Sequence, residues 1–293
     1  MICKIMAQKK HNWLLYALIT MVAWGIWGAF SDQPDFPATL TYVVWAISMV
    51  PCALFALANI KWKLDVRPKS VLLGMGVGIL GAGGQLALFQ ALKYGPGYLV
   101  IPMISVAPII TVILSAIFLK ERVSKMGAIG IFLAFVALIC FSLSGKGDEA
   151  VTSWLWIAFA AIVFIFWGIQ ALIMKLANNY APDAESVFIY MAISGIVLIP
   201  VALLMTDFSQ PVNMSFNGPY FTFLVQILNA IGAYALVYAN RYGKAMVVAP
   251  LADACAPVIS CIISLVLYAH FPSVPQIIGI VAAISCVLLL SKE

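Results

Sequence analysis

Residues 89–95 of the chain read FQALKYG and residues 237–243 read VYANRYG, and this pair of segments decides the fold. Each copy ends in a basic residue, a tyrosine and a glycine. A proline follows that glycine seven residues later, Pro102 in the first copy and Pro250 in the second. The copies are offset by about 148 residues, so the chain of 293 residues contains one pattern twice.

The match extends in both directions from these segments. Downstream, Ala107-Pro108 pairs with Ala256-Pro257 once one residue is inserted. Upstream, Trp24-Gly25-Ile26 lies over Trp167-Gly168-Ile169. The internal similarity therefore spans most of the chain and predicts two repeats of one structural unit.

The composition excludes a water-soluble protein. Apolar residues make up 64% of the chain and charged residues 9%, whereas a soluble domain averages about 25% charged residues. The mean hydropathy is +1.07, and so few polar side chains cannot cover a globule, so the surface must face lipid. The net charge of +5 is then no sign of nucleic-acid binding, and we expect a lipid bilayer and no nucleic acid as partners.

Ten apolar runs are separated by polar or Gly/Pro-containing segments, and each run approaches the roughly 20 residues that cross a bilayer. The runs are continuously apolar, so they predict helices rather than the alternating strands of a barrel. The predicted spans are residues 13–31, 39–58, 70–92, 98–119, 126–143, 154–174, 187–205, 220–239, 246–268 and 276–291. The sequence thus predicts an all-α integral membrane protein with ten transmembrane helices.

The spans divide into a first repeat over residues 13–143 and a second over 154–290, after a tail over residues 1–12. Five spans per repeat is an odd number, so the second repeat must enter the membrane from the opposite side, and the repeats are inverted. Fourteen of the 16 Lys and Arg then fall on one side, and only Lys93 and Lys146 fall on the other. By the positive-inside rule, both termini should be cytoplasmic.

The chain resembles an EamA-type permease of the drug/metabolite transporter superfamily. The resemblance rests on the two five-helix repeats, on ALKYG at 91–95 leading into a proline-containing fourth span, and on FLKER at 118–122 closing that span. It covers nearly the whole chain. It implies transport of amino acids, other small metabolites, sugars or drugs across the bacterial inner membrane, mostly as export, through a central cavity between the halves. The second repeat departs from the pattern at His270-Phe271, where it has no Glu-Arg pair.

Asp253 is the one carboxylate well inside a predicted span. A charge near the bilayer centre costs about 2.5 to 3.5 kcal/mol, so Asp253 should face protein or water. It lies between two prolines, as does its repeat counterpart Ser105, and each proline frees a helix carbonyl that is tolerated only beside a cavity or a partner. We hypothesise that Asp253 and Ser105 flank the transport path, with Asp253 binding a substrate amine or carrying a proton. The alternative is a structural Asp held by a neighbouring helix. The prolines, as candidate hinges, are Pro102, Pro108, Pro250 and Pro257.

Several amide side chains lie inside the predicted spans. Three positions on the eighth span, Asn229, Leu236 and Asn240, share one helical face that should point into the bundle. Such amides could line a cavity, or they could only join helices through hydrogen bonds of about 0.6 kcal/mol each. The candidates for the transport path are Gln85, Gln90, Gln170, Asn229 and Asn240.

Aromatic residues supply further candidates. Trp24 and Trp167 are repeat counterparts, and with Trp27 they could form the walls of a pocket for an amphipathic amine through cation–π contacts. Tryptophans also serve as anchors at the membrane interface, which is the alternative. Tyr238, four residues after Tyr234, is another candidate for the path, or it belongs to ordinary packing.

These observations predict a secondary transporter that moves a small-molecule substrate, a small amphipathic metabolite such as an amino acid or a drug-like compound, mostly outward and by alternating access. A sugar uptake permease is the alternative within the superfamily, and an intramembrane enzyme is the alternative of another class. GVGILG at 76–81 matches a dinucleotide fingerprint, but it lies inside an apolar span without a preceding strand. We therefore expect no cofactor and no metal.

Overall fold

The structure, a computed structural model, describes residues 2–31, 33–95, 100, 103, 104, 106–143, 153–268 and 271–293. The side chains of residues 2–12, 264 and 268 lie outside that description, as do the candidates Pro102 and Ser105 altogether. Within the described ranges the chain forms helices and no strand. The prediction of an all-α protein is therefore confirmed.

The helices follow the predicted spans closely. In the first half they are α1 (Ile2–Phe30), α2 (Ala38–Asn59), α3 (Pro68–Tyr94), α4 (Pro108–Phe118) and α5 (Lys125–Ser142). In the second half they are α6 (Leu155–Tyr180), α7 (Ala184–Val197), α8 (Ile199–Leu204), α9 (Phe221–Tyr242), α10 (Ala245–Tyr268) and α11 (Val274–Leu290). A π-helical turn, Phe216–Tyr220, leads into α9.

Eight segments of the described chain are long and apolar enough to cross a membrane, and α7 and α8 together form one of them. Two shorter apolar helices, α4 and α11, complete a set of ten. Large apolar side chains point outward from the bundle, as at Phe132 (65% exposed) and Leu288 (63% exposed). A surface of this kind suits lipid rather than water.

Helix α1 begins at Ile2, inside the predicted tail of residues 1–12. Two further helices differ from the predicted spans for identifiable reasons. The sixth span was predicted to end at residue 174, yet α6 continues to Tyr180. It continues because Lys175 donates to backbone carbonyls of Asn240 at 2.8 Å and Gly243 at 2.5 Å, so its charge is satisfied inside the bundle. The seventh span is interrupted at Leu198, since Pro200 lacks the amide that would continue the helix ladder.

The helix contacts follow a pseudo-two-fold pattern. Helix α1 packs against α9 and α10, and its counterpart α6 packs against α3 and α4. Helices α5 and α11, the fifth of each half, pack against each other. A pseudo-two-fold axis therefore relates the two halves, as two inverted repeats of five spans require.

The loops that are rich in Lys and Arg connect helices at one end of the bundle. We call this end the basic face. Arg67 donates to the carbonyl of Tyr180 at 3.2 Å, which joins the loop after α2 to the end of α6. Lys244 forms an ion pair with Glu293 at 2.9 Å, which joins the start of α10 to the residues after α11. These contacts bring the loops to one side of the molecule.

Candidate functional site

A cavity of about 650 Å³ lies between the two halves, with walls from both. Cavities of about 300 to 1,000 Å³ are typical of sites for small molecules. Ten of the predicted residues line it. They are Asp253, Trp24, Trp27, Trp167, Gln85, Gln170, Asn229, Asn240, Pro108 and Pro257.

Three other predicted residues do not line the cavity: Gln90, Tyr238 and Pro250. Tyr238 lies two residues from both Leu236 and Asn240, so it projects from another side of α9. Its hydroxyl donates to the carboxylate of Glu185. Its ring stacks on Tyr16, with centroids 4.8 Å apart. Tyr238 thus belongs to a cluster of tyrosines outside the cavity.

The two halves contribute matching hydrogen bonds to the cavity wall. Ser260 on α10 donates to the carbonyl of Gly25 on α1 at 2.7 Å. Thr111 on α4 donates to the carbonyl of Gly168 on α6 at 2.8 Å. Gly25 and Gly168 are repeat counterparts, and so are Thr111 and Ser260. Both hydroxyl residues line the cavity, so the same hydrogen bond forms once in each half.

The tryptophan pair shows the same symmetry. Trp24 Nε1 donates to the carbonyl of Asn229 at 3.2 Å, and Trp167 Nε1 donates to the carbonyl of Gly81 at 3.3 Å. Each ring packs where a glycine leaves room. A Cβ on Gly232 would overlap the ring of Trp24, and a Cβ on Gly84 would overlap that of Trp167. Glycine at both positions is what lets the rings sit against the helices.

Two further tryptophans complete the aromatic wall. Trp45 on α2, which the sequence analysis did not single out, donates from Nε1 to the side-chain oxygen of Asn229 at 2.8 Å. Trp27 Nε1 donates to the side-chain oxygen of Gln226 at 3.0 Å. Both rings line the cavity. The signal in the sequence for Trp45 is only its spacing of four residues from Met49, which also lines the cavity.

Asp253 lies on α10 in the cavity wall and is half-buried. Within the described part of the chain its carboxylate has neither a hydrogen-bond partner nor an ion-pair partner. Pro257 has no amide hydrogen, so the backbone carbonyl of Asp253, four residues earlier, also loses its helical donor. The carboxylate of Asp253 therefore lies unpaired in a protein interior, where unpaired polar groups are costly.

The lining of the cavity reaches the face of the bundle opposite the basic face. Its lining includes Ser142, the last residue of α5, and Pro272, in the connection before α11. Towards the basic face it ends near Asn240, above the carbonyls of Asn240, Arg241 and Gly243 that Lys175 caps. Arg241 in turn donates to the carbonyls of Asn178 and Ala181, each at 3.3 Å. The ends of α6 and α9 thus cap each other at this end.

Nothing in the described part of the chain forms a metal centre. No group of three or more His, Cys, Asp or Glu lies close enough together to hold an ion. The cavity instead offers a carboxylate, amides and indole rings, which can bind an organic solute without a metal.

Comparison with known proteins gives one family. The model of the EamA-like transporter family matches residues 11–143 and again residues 154–292. An uncharacterized protein of Methanocaldococcus jannaschii is 33% identical over 133 residues, which is 45% of this chain and 96% of that protein. A solved crystal structure of a protein superposes with a TM-score of 0.76 at 18% identity, covering 95% of this chain and 96% of that one, which shows a shared fold.

Proposed function

Because the chain belongs to the EamA-like transporter family, we propose that it is a secondary transporter that moves a small amphipathic metabolite by alternating access. The proposed location is the cytoplasmic membrane of a bacterium. The family match over both repeats supports a drug/metabolite-type membrane transporter.

The single observation that carries the mechanism is the cavity between two repeats with matching contacts. Thr111 and Ser260 hold equivalent carbonyls in the two halves, and Trp24 and Trp167 occupy equivalent walls. When the halves of such a protein exchange conformations, a cavity that is open to one face becomes open to the other. An ion gradient or the substrate gradient drives the exchange.

The basic face is the cytoplasmic face in this proposal. The support is the charge distribution, since 14 of the 16 Lys and Arg belong to that side. Both termini are then cytoplasmic, and the cavity faces the outside in this conformation. Labelling single cysteines placed near the two termini tests the orientation, because an impermeant reagent should reach both only after the membrane is opened. Termini on opposite sides would contradict it.

The residues proposed for the path are those that meet in the cavity, with Asp253 at their centre. Asp253 binds a substrate amine or carries a coupled proton. The indoles and amides contact the rest of the solute, and Pro108 and Pro257 serve as hinges. Pro102, as a further hinge, and Ser105, on the path, belong to the same proposal and lie outside the described residues. If Asp253→Asn left both the transport rate and its pH dependence unchanged, this role would be wrong.

The proposed direction is export of an amino acid or a drug-like compound, and the alternative is sugar uptake. Proteoliposomes that hold the full chain decide between them. They are loaded in turn with amino acids, amines and sugars, and counterflow of the labelled compound is measured against empty liposomes. We expect counterflow of an amphipathic compound, recovered chemically unchanged. Accumulation of an altered product would indicate an intramembrane enzyme, and no counterflow above empty liposomes would contradict a transporter.

A further inference from the structure

The ionisable side chains around the cavity have one sign. Among the lining residues that the structure describes, Asp253 is the only Asp or Glu, and none is a Lys, Arg or His. Lys175 on α6 is not a lining residue, and its ammonium group donates to the backbone carbonyls of Asn240, Arg241 and Gly243. Within this described lining, an anion would therefore meet a carboxylate without a compensating positive side chain.

The tryptophans present ring surface rather than hydrogen-bond donors. All four indole N–H groups of the lining are engaged by the protein. Their acceptors are the backbone oxygens of Asn229 and Gly81 and the side-chain oxygens of Asn229 and Gln226. What the rings offer a solute is carbon surface and π face, which attracts cations and apolar bodies.

Asp253 supplies the complementary charge. Its carboxylate is unpaired in the described structure, and Pro257 leaves its backbone carbonyl without a helical donor. An ammonium group, with several N–H donors and one positive charge, satisfies the carboxylate with both a charge and hydrogen bonds. The cost of an unpaired carboxylate in the bundle is then offset when the solute is bound.

We propose that the cavity selects organic cations, that is, amphipathic amines that carry no carboxylate, with the ammonium on Asp253 and the apolar body among Trp24, Trp27, Trp45 and Trp167. This inference rests on the proposed function and narrows its substrate class. A zwitterionic amino acid has to place its carboxylate on neutral amides such as Gln85 and Gln170 in the same space. A sugar leaves the carboxylate without a cation.

A series of four compounds on one ring system tests the class. Tryptamine is a cation, indole-3-ethanol is neutral, tryptophan is a zwitterion and indole-3-propionate is an anion. Dissociation constants are measured by calorimetry with the full chain in lipid nanodiscs, and empty nanodiscs correct for partitioning into lipid. We expect tryptamine to bind at least about tenfold more tightly than each of the others, because it alone pairs its charge without adding a carboxylate.

Variants of Asp253 assign the preference to that residue. In Asp253→Asn tryptamine should bind no more tightly than indole-3-ethanol, whereas Asp253→Glu, which keeps the charge, should retain the preference and shows that substitution at this position is tolerated. Asp207→Asn, which removes an exposed carboxylate in the loop after α8, should leave the order of the four compounds unchanged.

The outcomes separate this inference from transport itself. Binding of tryptophan or indole-3-propionate as tight as that of tryptamine would overturn the class, and so would binding of none of the four. An unchanged preference in Asp253→Asn would overturn the assignment to Asp253. In each case counterflow of an amino acid or a sugar in proteoliposomes would leave the transporter standing, whereas its absence would count against the proposed function.

Discussion

The carboxylate of Glu121, just after α4, accepts a hydrogen bond from the backbone amide of Ala245 at 3.1 Å. Its other oxygen accepts one from the amide of Met246, also at 3.1 Å. Both amides lie in the first turn of α10, so a side chain of the first repeat caps a helix of the second across the basic face. At the matching positions the second repeat has His270-Phe271, so its sequence supplies no carboxylate there.

Because this cap joins the two repeats at the basic face, its loss should favour a conformation in which they separate there. We expect Glu121→Gln to raise the rate at which a thiol reagent, applied from the basic face, labels Ala249→Cys in the cavity wall. The increase should be about tenfold, since a hydrogen bond to a charged group contributes about 1.5 kcal/mol or more. The measurement uses a background in which the 6 native cysteines are replaced by alanine.

Arg122→Gln is the matched control for this variant, because Arg122 lies in the same loop and forms no hydrogen bond or ion pair with the described residues of α10. Its labelling rate should equal that of the parent chain. Equal rates for Glu121→Gln and Arg122→Gln would show that the cap does not hold the repeats together at the basic face.

Two glycines of α3 give a stability test of the tryptophan wall. A Cβ on Gly84 would overlap the ring of Trp167, whereas a Cβ on Gly76 would meet Ile173 at an ordinary 3.7 Å. Gly84→Ala should therefore destabilise the folded protein by about 1 to 3 kcal/mol, the usual cost of overpacking. Gly76→Ala should be tolerated. The thermal unfolding midpoints in detergent compare the two, and similar midpoints would mean that the Trp167 ring adjusts at no cost.

The hydroxyls of Thr111 and Ser260 should have equal effects, because they make equivalent hydrogen bonds in the two halves. We expect Thr111→Val and Ser260→Ala each to lower the free energy of unfolding by about 1 kcal/mol. Ser285→Ala, whose hydroxyl bonds within α11 and is exposed, is the control and should have a smaller effect. A loss confined to one of the two variants would show that the halves are not energetically equivalent.

Asp65, in the loop between α2 and α3, gives a prediction on pH. A hydrogen bond from Arg67 holds the pKa of Asp65 well below its usual range; burial acts in the opposite direction, and Ser70 adds a second hydrogen bond to the carboxylate. A depressed pKa stabilises the fold above the unfolded value of about 3.9, and this stabilisation is lost as the pH falls through the folded value. The parent chain should therefore lose stability below about pH 4.

Asp65→Asn should lower the thermal midpoint at pH 7 and flatten its decline below about pH 4, since the titrating group is gone. Asp207→Asn, which changes an exposed carboxylate in another loop, should shift the midpoint at pH 7 less than Asp65→Asn does. An identical acid profile for Asp65→Asn and the parent chain would rule out Asp65 as the source of that part of the pH dependence.

The sequence alone predicted the features that recur along the chain, namely the apolar spans and the internal repeat. Hydropathy predicted the spans, and self-comparison predicted that Trp24 and Trp167 are equivalent, as their matching hydrogen bonds show. Hydropathy did not predict the end of α6 correctly. Lys175 lowers the local hydropathy, but tertiary hydrogen bonds stabilise this side chain inside the bundle, so the helix continues past it.

Contacts between helices were the part that could not be predicted. Trp45 meets Asn229 only because α2 packs on α9, and Tyr238 turns to Glu185 because α7 lies beside that side of α9. No sequence motif indicates either pairing. The repeat fixed which positions are equivalent, and packing decided which of them face the cavity.

The paired serine and threonine contacts give experimenters a built-in reference. Any substitution at Ser260 can be compared with the equivalent substitution at Thr111, in the same protein, the same lipid and the same assay. A difference between the two variants measures how unequally the two halves contribute to the cycle, since the two hydrogen bonds themselves are equivalent.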